Sequence, residues 1–179
     1  MPVDLKPCPR AVVICAVLAP SLETIGQSLT LLVEKLGPVE ARSLPYDFDY
    51  TSYYQTEMGS GLIKQLVRFE RTVPLDHLSQ IKAETMALER AMAQKEAGQV
   101  RRRANIDPGL VSVEGLVLAT TKYSGHRICI APSLYAETTL LFTKHGDCAP
   151  LQWTYPDYKR ADVQEFLLTT RAAVMEQRP

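Results

Sequence analysis

The segment Thr120-Thr121-Lys122-Tyr123-Ser124-Gly125-His126-Arg127 sets hydroxyls, a lysine and a histidine-arginine pair around a glycine, between two apolar stretches. Such a loop suits a phosphate or carboxylate, with Arg127 as a two-pronged planar donor and Lys122 as a point charge. His126 titrates near neutrality and could move a proton. A plain solvated hairpin loop is the competing reading. Glu137 follows in an alternating stretch, with Tyr135 and Thr139 on its face. A carboxylate there is either solvated or lines a cleft, and opposite Arg103 or Arg127 it would form an ion pair or part of a ligand site.

A second cluster is Arg103-Ala104-Asn105-Ile106-Asp107-Pro108-Gly109. Asp-Pro-Gly reads as a turn, because Pro fixes φ at the first central position and Gly accepts the positive φ of a type II turn. The spacing predicts positive φ at Gly109, with Asn105 and Asp107 either aimed into a pocket or satisfying turn amides. A third cluster holds Tyr46, Tyr50, Tyr53 and Tyr54, half of the eight tyrosines, beside Asp47, Asp49 and Glu57. Tyr46 and Tyr53 could stack on or hydrogen-bond a ligand, and Asp47 and Asp49 could act as bases or hold Mg²⁺. Equally, this is a structured connection whose aromatics pack and whose aspartates cap turns. Trp153-Thr154-Tyr155-Pro156-Asp157-Tyr158 contains the single Trp and is expected to plug the final helix onto the sheet; the alternative is that one or both tyrosine hydroxyls reach a pocket.

The elements that must position these groups follow from periodicity. Ala11 to Leu18 is continuously apolar, as expected of a central strand covered on both faces. It follows Arg10 in the manner of a short signal peptide, but Asp4 dilutes the basic region and the run is far short of the ~20 residues of a membrane span. Ser21 caps a helix bearing Leu22, Ile25, Leu29, Leu32 and Leu36, stopped by Gly37-Pro38. Strands are predicted over Val39 to Leu44 and Leu62 to Val73, the latter with Ile63, Val67 and Phe69 on one face and Lys64, Arg68 and Glu70 on the other. A second helix begins at Pro74 and runs out near Gly98. Strands over Val113 to Thr121, Arg127 to Ile130 and Leu134 to Thr143 follow, the last with Leu134, Ala136, Leu140 and Phe142 facing one way. A final helix begins after Pro156-Asp157. The order β-α-β-β-α-β-β-β-α predicts a single α+β domain over residues 1–179. It has a mixed sheet, helices mainly on one face, and a ferredoxin-like, split βαβ core with extra strands.

At 179 residues the chain can bury about two-thirds of its unfolded surface without disulfides or metal. Twenty basic and twenty acidic residues balance, which argues against a dedicated nucleic-acid or anionic-membrane binder. Cys8, Cys15, Cys129 and Cys148 show no metal-binding spacing; Cys15 and Cys129 lie in apolar runs and read as buried thiols, which fits a cytoplasmic setting. Phosphate-loop, dinucleotide, nucleophile-elbow and zincin motifs are all absent from the sequence.

Tyr46-Asp47-Phe48-Asp49-Tyr50-Thr51-Ser52-Tyr53-Tyr54, Glu57-Met58-Gly59, Asn105-Ile106-Asp107-Pro108-Gly109, Leu118-Ala119-Thr120-Thr121-Lys122, His126-Arg127-Ile128, Tyr135-Ala136-Glu137 and Trp153-Thr154-Tyr155-Pro156-Asp157-Tyr158 together resemble domain-of-unknown-function family 4416. The likeness covers nearly the whole chain and departs at Leu110, where the family pattern has an aromatic. The resemblance implies no reaction. Members carry a GTP-binding label in places, but the phosphate loop and the guanine-reading N-K-x-D are both missing here.

Three functions remain open. One is an enzyme or binder for an anionic small molecule, phosphorylated or carboxylated, or a nucleotide. In it Arg103, Asn105, Lys122, Arg127, Tyr46, Asp47, Asp49 and Tyr53 bind ligand, and His126, Asp107 and Glu137 do acid-base work. Another is a non-catalytic protein-interaction domain using the Tyr-rich loop. RNA binding through Arg101 to Arg103 is the third, disfavoured by the zero net charge. Cations and carboxylates meeting in one concavity would favour the first; tyrosines spread over a flat patch would favour the second.

Overall fold

The computed structural model describes residues 4, 6–96 and 98–176. In chain order the first elements are β1 (Arg10–Ala19), α1 (Leu22–Leu36), β2 (Val39–Arg42), β3 (Tyr46–Asp47), α2 (Gln55–Met58) and β4 (Ile63–Pro74). There follow α3 (Leu78–Met92), β5 (Gln94–Glu96), β6 (Gln99–Arg101), β7 (Asn105–Val111) and β8 (Gly115–Thr120). The chain closes with β9 (Ile128–Ala131), β10 (Leu134–Phe142), β11 (Cys148–Pro150) and α4 (Ala161–Glu176). Nine strands form one sheet in the order β11-β10-β8-β7-β1-β4-β2, with β3 paired to β4 and β9 to β10. Every pairing in it is antiparallel, so the α+β class holds while the expected mixed sheet does not. No helix among the described residues is long and apolar enough to cross a membrane.

The apolar run of β1 sits between β4 and β7, buried from Ala11 to Ala19. Ala11, Val13, Cys15 and Val17 pack on the side of α1 and α3, and Val12, Ile14, Ala16 and Leu18 on the side of α4. Two helices thus cover one face and α4 the other, which is why an unbroken apolar string was needed. Ser21 caps α1 by accepting the Thr24 amide at 3.1 Å, and Gly37, at φ 89°, ends it. On β4, Lys64, Leu66 and Arg68 point toward α4: Arg68 donates to the Thr169 carbonyl at 3.3 Å, so Lys64 and Arg68 of the charged side are buried while Glu70 stays exposed.

Four expectations need correction. Helix α3 ends at Met92, short of Gly98, because the chain turns into the β5-β6 hairpin with Gly98 at φ 79°. The residues of β10 do not keep one alternation, since a register shift between Thr138 and Leu140 puts Ala136 toward α3 and Leu140 with Phe142 toward α4. Cys129 is exposed on β9, whereas Cys15 is buried as expected. Trp153 is not a core plug under α4: it remains 39 % exposed, and the fully packed aromatic of its block is Tyr158.

The largest revision concerns Asp107-Pro108-Gly109, which is strand rather than turn. Gly109 is not among the glycines with positive φ. Pro and Gly bend a chain that is free to bend, but here β1 pairs with β7 from Asn105 to Val111 and holds it extended. Pro108 governs the opposite edge, where β8 pairs with β7 at Gly109, Leu110 and Val111 only. Proline has no N–H to continue a ladder. Past Pro108 the β7-β8 pairing stops, and the site opens in that gap.

Glycine is required at 109 for space. A Cβ there would lie 2.6 Å from Leu118 Cδ2 and 3.1 Å from the Val117 carbonyl oxygen. At Gly115 it would lie 2.6 Å from the Leu140 carbonyl oxygen, a backbone atom that cannot swing aside. Gly109→Ala should therefore cost about 1–3 kcal/mol and Gly115→Ala more. Urea denaturation of both variants checks this; the opposite ranking would count against a steric cause.

Candidate functional site

A cavity of about 340 Å³ occupies the gap beyond Pro108. Its walls come from segments spread between Phe48 and Tyr158: Lys82, Met86 and Glu89 from α3, Asn105 and Asp107 from β7, Leu118 to Thr120 from β8, and Glu137 and Thr139 from β10. Phe48, Tyr53 and Tyr54 of the Tyr-rich loop, Lys64 of β4, Arg102, Lys122, Arg127, Tyr155 and Tyr158 complete it. Buried Lys64, Lys82, Glu89, Asn105, Thr139 and Tyr158 mark its deep end, and exposed Tyr53, Lys122 and Tyr155 mark its mouth.

The charged groups form a graded network. Lys82 Nζ donates to the Ile106 carbonyl at 3.0 Å and to Asp107 Oδ1 at 3.2 Å, and Asn105 Nδ2 donates to Asp107 Oδ2 at 2.8 Å. Burial alone would raise the Asp107 carboxyl, but the ammonium groups of Lys82 and Lys64 and these hydrogen bonds outweigh it and hold it low. Glu89 accepts the Ile106 amide, and burial raises its carboxyl despite Lys82 nearby. Arg102 binds Glu57 and donates to Asn105 Oδ1 at 3.1 Å. Arg127 Nε donates to Glu137 Oε2 at 2.8 Å and its Nη1 to the Lys122 carbonyl at 2.9 Å.

Lys122 differs from the rest. Its Nζ lies 3.7 Å from the Tyr53 ring centre and 5.7 Å from that of Tyr54, with no carboxylate partner among the described residues. Partial desolvation lowers its ammonium pKa; Arg102, Arg127 and Lys82 lower it further, against Asp107. At the deep end, Lys64 Nζ is neutralised by Asp157 Oδ2 at 2.6 Å, and Tyr46 donates to the same oxygen at 3.0 Å.

Of the residues expected at a site, Asn105, Asp107, Lys122, Arg127, Glu137 and Tyr53 line the cavity. The others do not. His126 stands behind Glu137, its Nε2 2.9 Å from Glu137 Oε2 and its Nδ1 3.1 Å from Ser124 Oγ, with its ring stacked on Trp153 at 4.8 Å. Tyr46 is buried on Asp157, and Asp47 and Asp49 are exposed away from the cavity. No group of three or more His, Cys, Asp or Glu among the described residues is arranged to hold a metal ion. Arg102, not Arg103, enters the cavity. Lys82 and Glu89 were legible in principle: they sit on the buried stripe of α3 with Leu78, Ile81, Thr85 and Leu88, where a charged residue needs a reason.

The family model described as "Domain of unknown function (DUF4416)" matches residues 9–173. The chain belongs to the DUF4416 family. A search of curated proteins gives no match. The DUF4416 span contains every residue of the cavity wall, from Phe48 to Tyr158, so the site is built wholly within the family domain.

The Asp107 network has a pH signature. A carboxyl held below its unfolded value contributes stability above that value, 3.8 for Asp, and loses it as pH falls through the lower folded one. Urea midpoints between about pH 3 and pH 7 should show the gap between the unmutated protein and Asp107→Asn closing toward the acid end. A gap that widens on acidification would refute the assignment.

Proposed function

We propose that the cavity between β7 and β8 binds a small anionic molecule bearing a phosphate or carboxylate. The observation that carries this is Lys122, a cation at the cavity mouth without a carboxylate partner among the described residues, beside Arg127 and Arg102. Elsewhere in the wall each lysine or arginine has an acid: Lys64 has Asp157, Lys82 has Asp107, Arg102 has Glu57 and Arg127 has Glu137. An incoming anion would complete the set, with charge-assisted hydrogen bonds from the Arg127 and Lys122 heads. Glu137, backed by His126 and Arg127, is the carboxylate placed to exchange a proton with such a ligand. A cytoplasmic setting and a metabolite-sized substrate belong to the same reading.

The protein-interaction alternative finds less support. Phe48 packs edge-on against Tyr50 and Tyr54 at 5.5 and 6.2 Å, and only Tyr53 of this loop is largely exposed, so the aromatics wall a concavity. The test is a thermal-shift series with inorganic phosphate, pyrophosphate and citrate at low ionic strength. A saturable rise in melting temperature for at least one anion, weakening with added salt, is expected. No rise with any of them would remove the reading.

A further inference from the structure

We propose that a second anion subsite adjoins the first, in the cleft between α3 and the β9-β10 turn, so that the ligand carries two anionic groups joined by an uncharged spacer. The proposal rests on the anion-binding reading above and adds the far end of the ligand. The cleft has a volume of about 330 Å³, and Met86 and Thr121 belong both to its wall and to that of the cavity at Lys122. One molecule can therefore enter both concavities across Met86 and Thr121.

Helical geometry explains the division. Lys82 and Glu89, seven residues apart on α3, face the first cavity, and Ala83 and Arg90, each one residue further on, face the cleft. Met86 stands three or four residues from all four and forms the ridge between the two stripes. Its side chain is apolar, so the part of a ligand crossing it is uncharged.

The cleft is built to hold negative charge. Its wall contains one cation, Arg90, and no acid. The Arg90 guanidinium and the Thr121 and Ser133 hydroxyls have no ion-pair or hydrogen-bond partner among the described residues. In the first cavity the cation in that condition is Lys122, next to Thr121 in the chain. Ser133 adds an independent sign. Ala131 pairs with Leu134, which leaves Pro132 and Ser133 at the centre of the turn. Ser133 has φ 59° and is the one non-glycine residue of positive φ among the described residues. After Pro at the first central position, positive φ at the second ordinarily falls to Gly or Asn, so the serine sits there under steric strain. Such strain collects where a side chain is needed by a ligand, and this side chain shares the cleft wall with Arg90.

Isothermal titration of the full chain tests this with two matched pairs: hexane-1,6-bisphosphonate against hexylphosphonate, and fructose 1,6-bisphosphate against fructose 6-phosphate. In at least one pair the bis-anion should bind about tenfold more tightly than its mono-anionic counterpart. Arg90→Gln should remove most of that advantage while changing the mono-anion's affinity by less than about twofold. Ser133→Gly should melt no lower than the unmutated protein, because glycine relieves the strain, and should weaken the bis-anion alone. Equal affinities within both pairs would overturn the proposal and leave the first anion site standing. So would an advantage that survives Arg90→Gln, since it would come from total charge, or a loss in that variant shared by both members of a pair. A Ser133→Gly variant that melts lower and keeps its bis-anion affinity would remove Ser133 from the subsite. No binding by any of the four compounds would remove both readings.

Discussion

Asp157→Ala should lower the unfolding free energy by about 3–5 kcal/mol, the usual cost of stripping a buried charge of its partner. The Asp157 side chain is fully buried and that of Lys64 is 8 % exposed, with 2.6 Å between Nζ and Oδ2. Tyr46 loses its acceptor in the same substitution. The Lys64 ammonium would be left facing the Phe48 and Tyr158 rings, 5.0 and 4.8 Å away, which offset only a fraction of its desolvation. Asp157→Leu combined with Lys64→Met should recover most of the loss, since removing both charges replaces an ion pair by packing. Urea unfolding of the single and double variants measures the coupling. A single variant within about 1 kcal/mol of the unmutated protein would show that the pair is hydrated and contributes little.

The largest effect on binding is expected at Lys122. Lys122→Glu should remove the stabilisation given by phosphate or pyrophosphate, because it deletes a charge-assisted contact worth about 1.5–3 kcal/mol and adds a repelling carboxylate. That contact alone corresponds to roughly a 10- to 150-fold loss of affinity. The unliganded fold should be little affected, since the ammonium lies over the Tyr53 ring at the cavity mouth without an acid partner among the described residues. Arg127→Glu differs, because it also takes the guanidinium from Glu137 and so disturbs the wall itself. Anion-induced shifts that persist in Lys122→Glu would place the anion elsewhere or nowhere.

Several elements were legible because their signals are local. The unbroken apolar string of β1, the Ser21 cap, the Leu-rich stripe of α1 and its Gly37 stop each depend on neighbours a few residues away. So do the alternation that announced β4 and the helix after Pro156-Asp157. The exposure of Cys129 and the straight course of β7 escape a local reading for a matching reason. An apolar run does not say whether a strand lies at an edge, and Pro-Gly does not say whether a neighbouring strand holds it straight.

The site divides along the same line. Composition and spacing alone marked Asn105, Asp107, Lys122, Arg127, Glu137 and Tyr53 as groups with chemistry to do, and all six wall one cavity. Tertiary structure decided the rest. Lys64 reads as the polar side of an amphipathic strand until α4 and the Asp157 turn cover that face. Arg102 replaces Arg103, and Lys82 with Glu89 arrives from a helix whose polar residues look solvated in one dimension. The cavity exists because Pro108 ends the β7-β8 ladder while β1 holds β7 on its other side, a condition set by three strands far apart in sequence. Residue chemistry is written locally, whereas burial and partnership depend on which distant segments pack together.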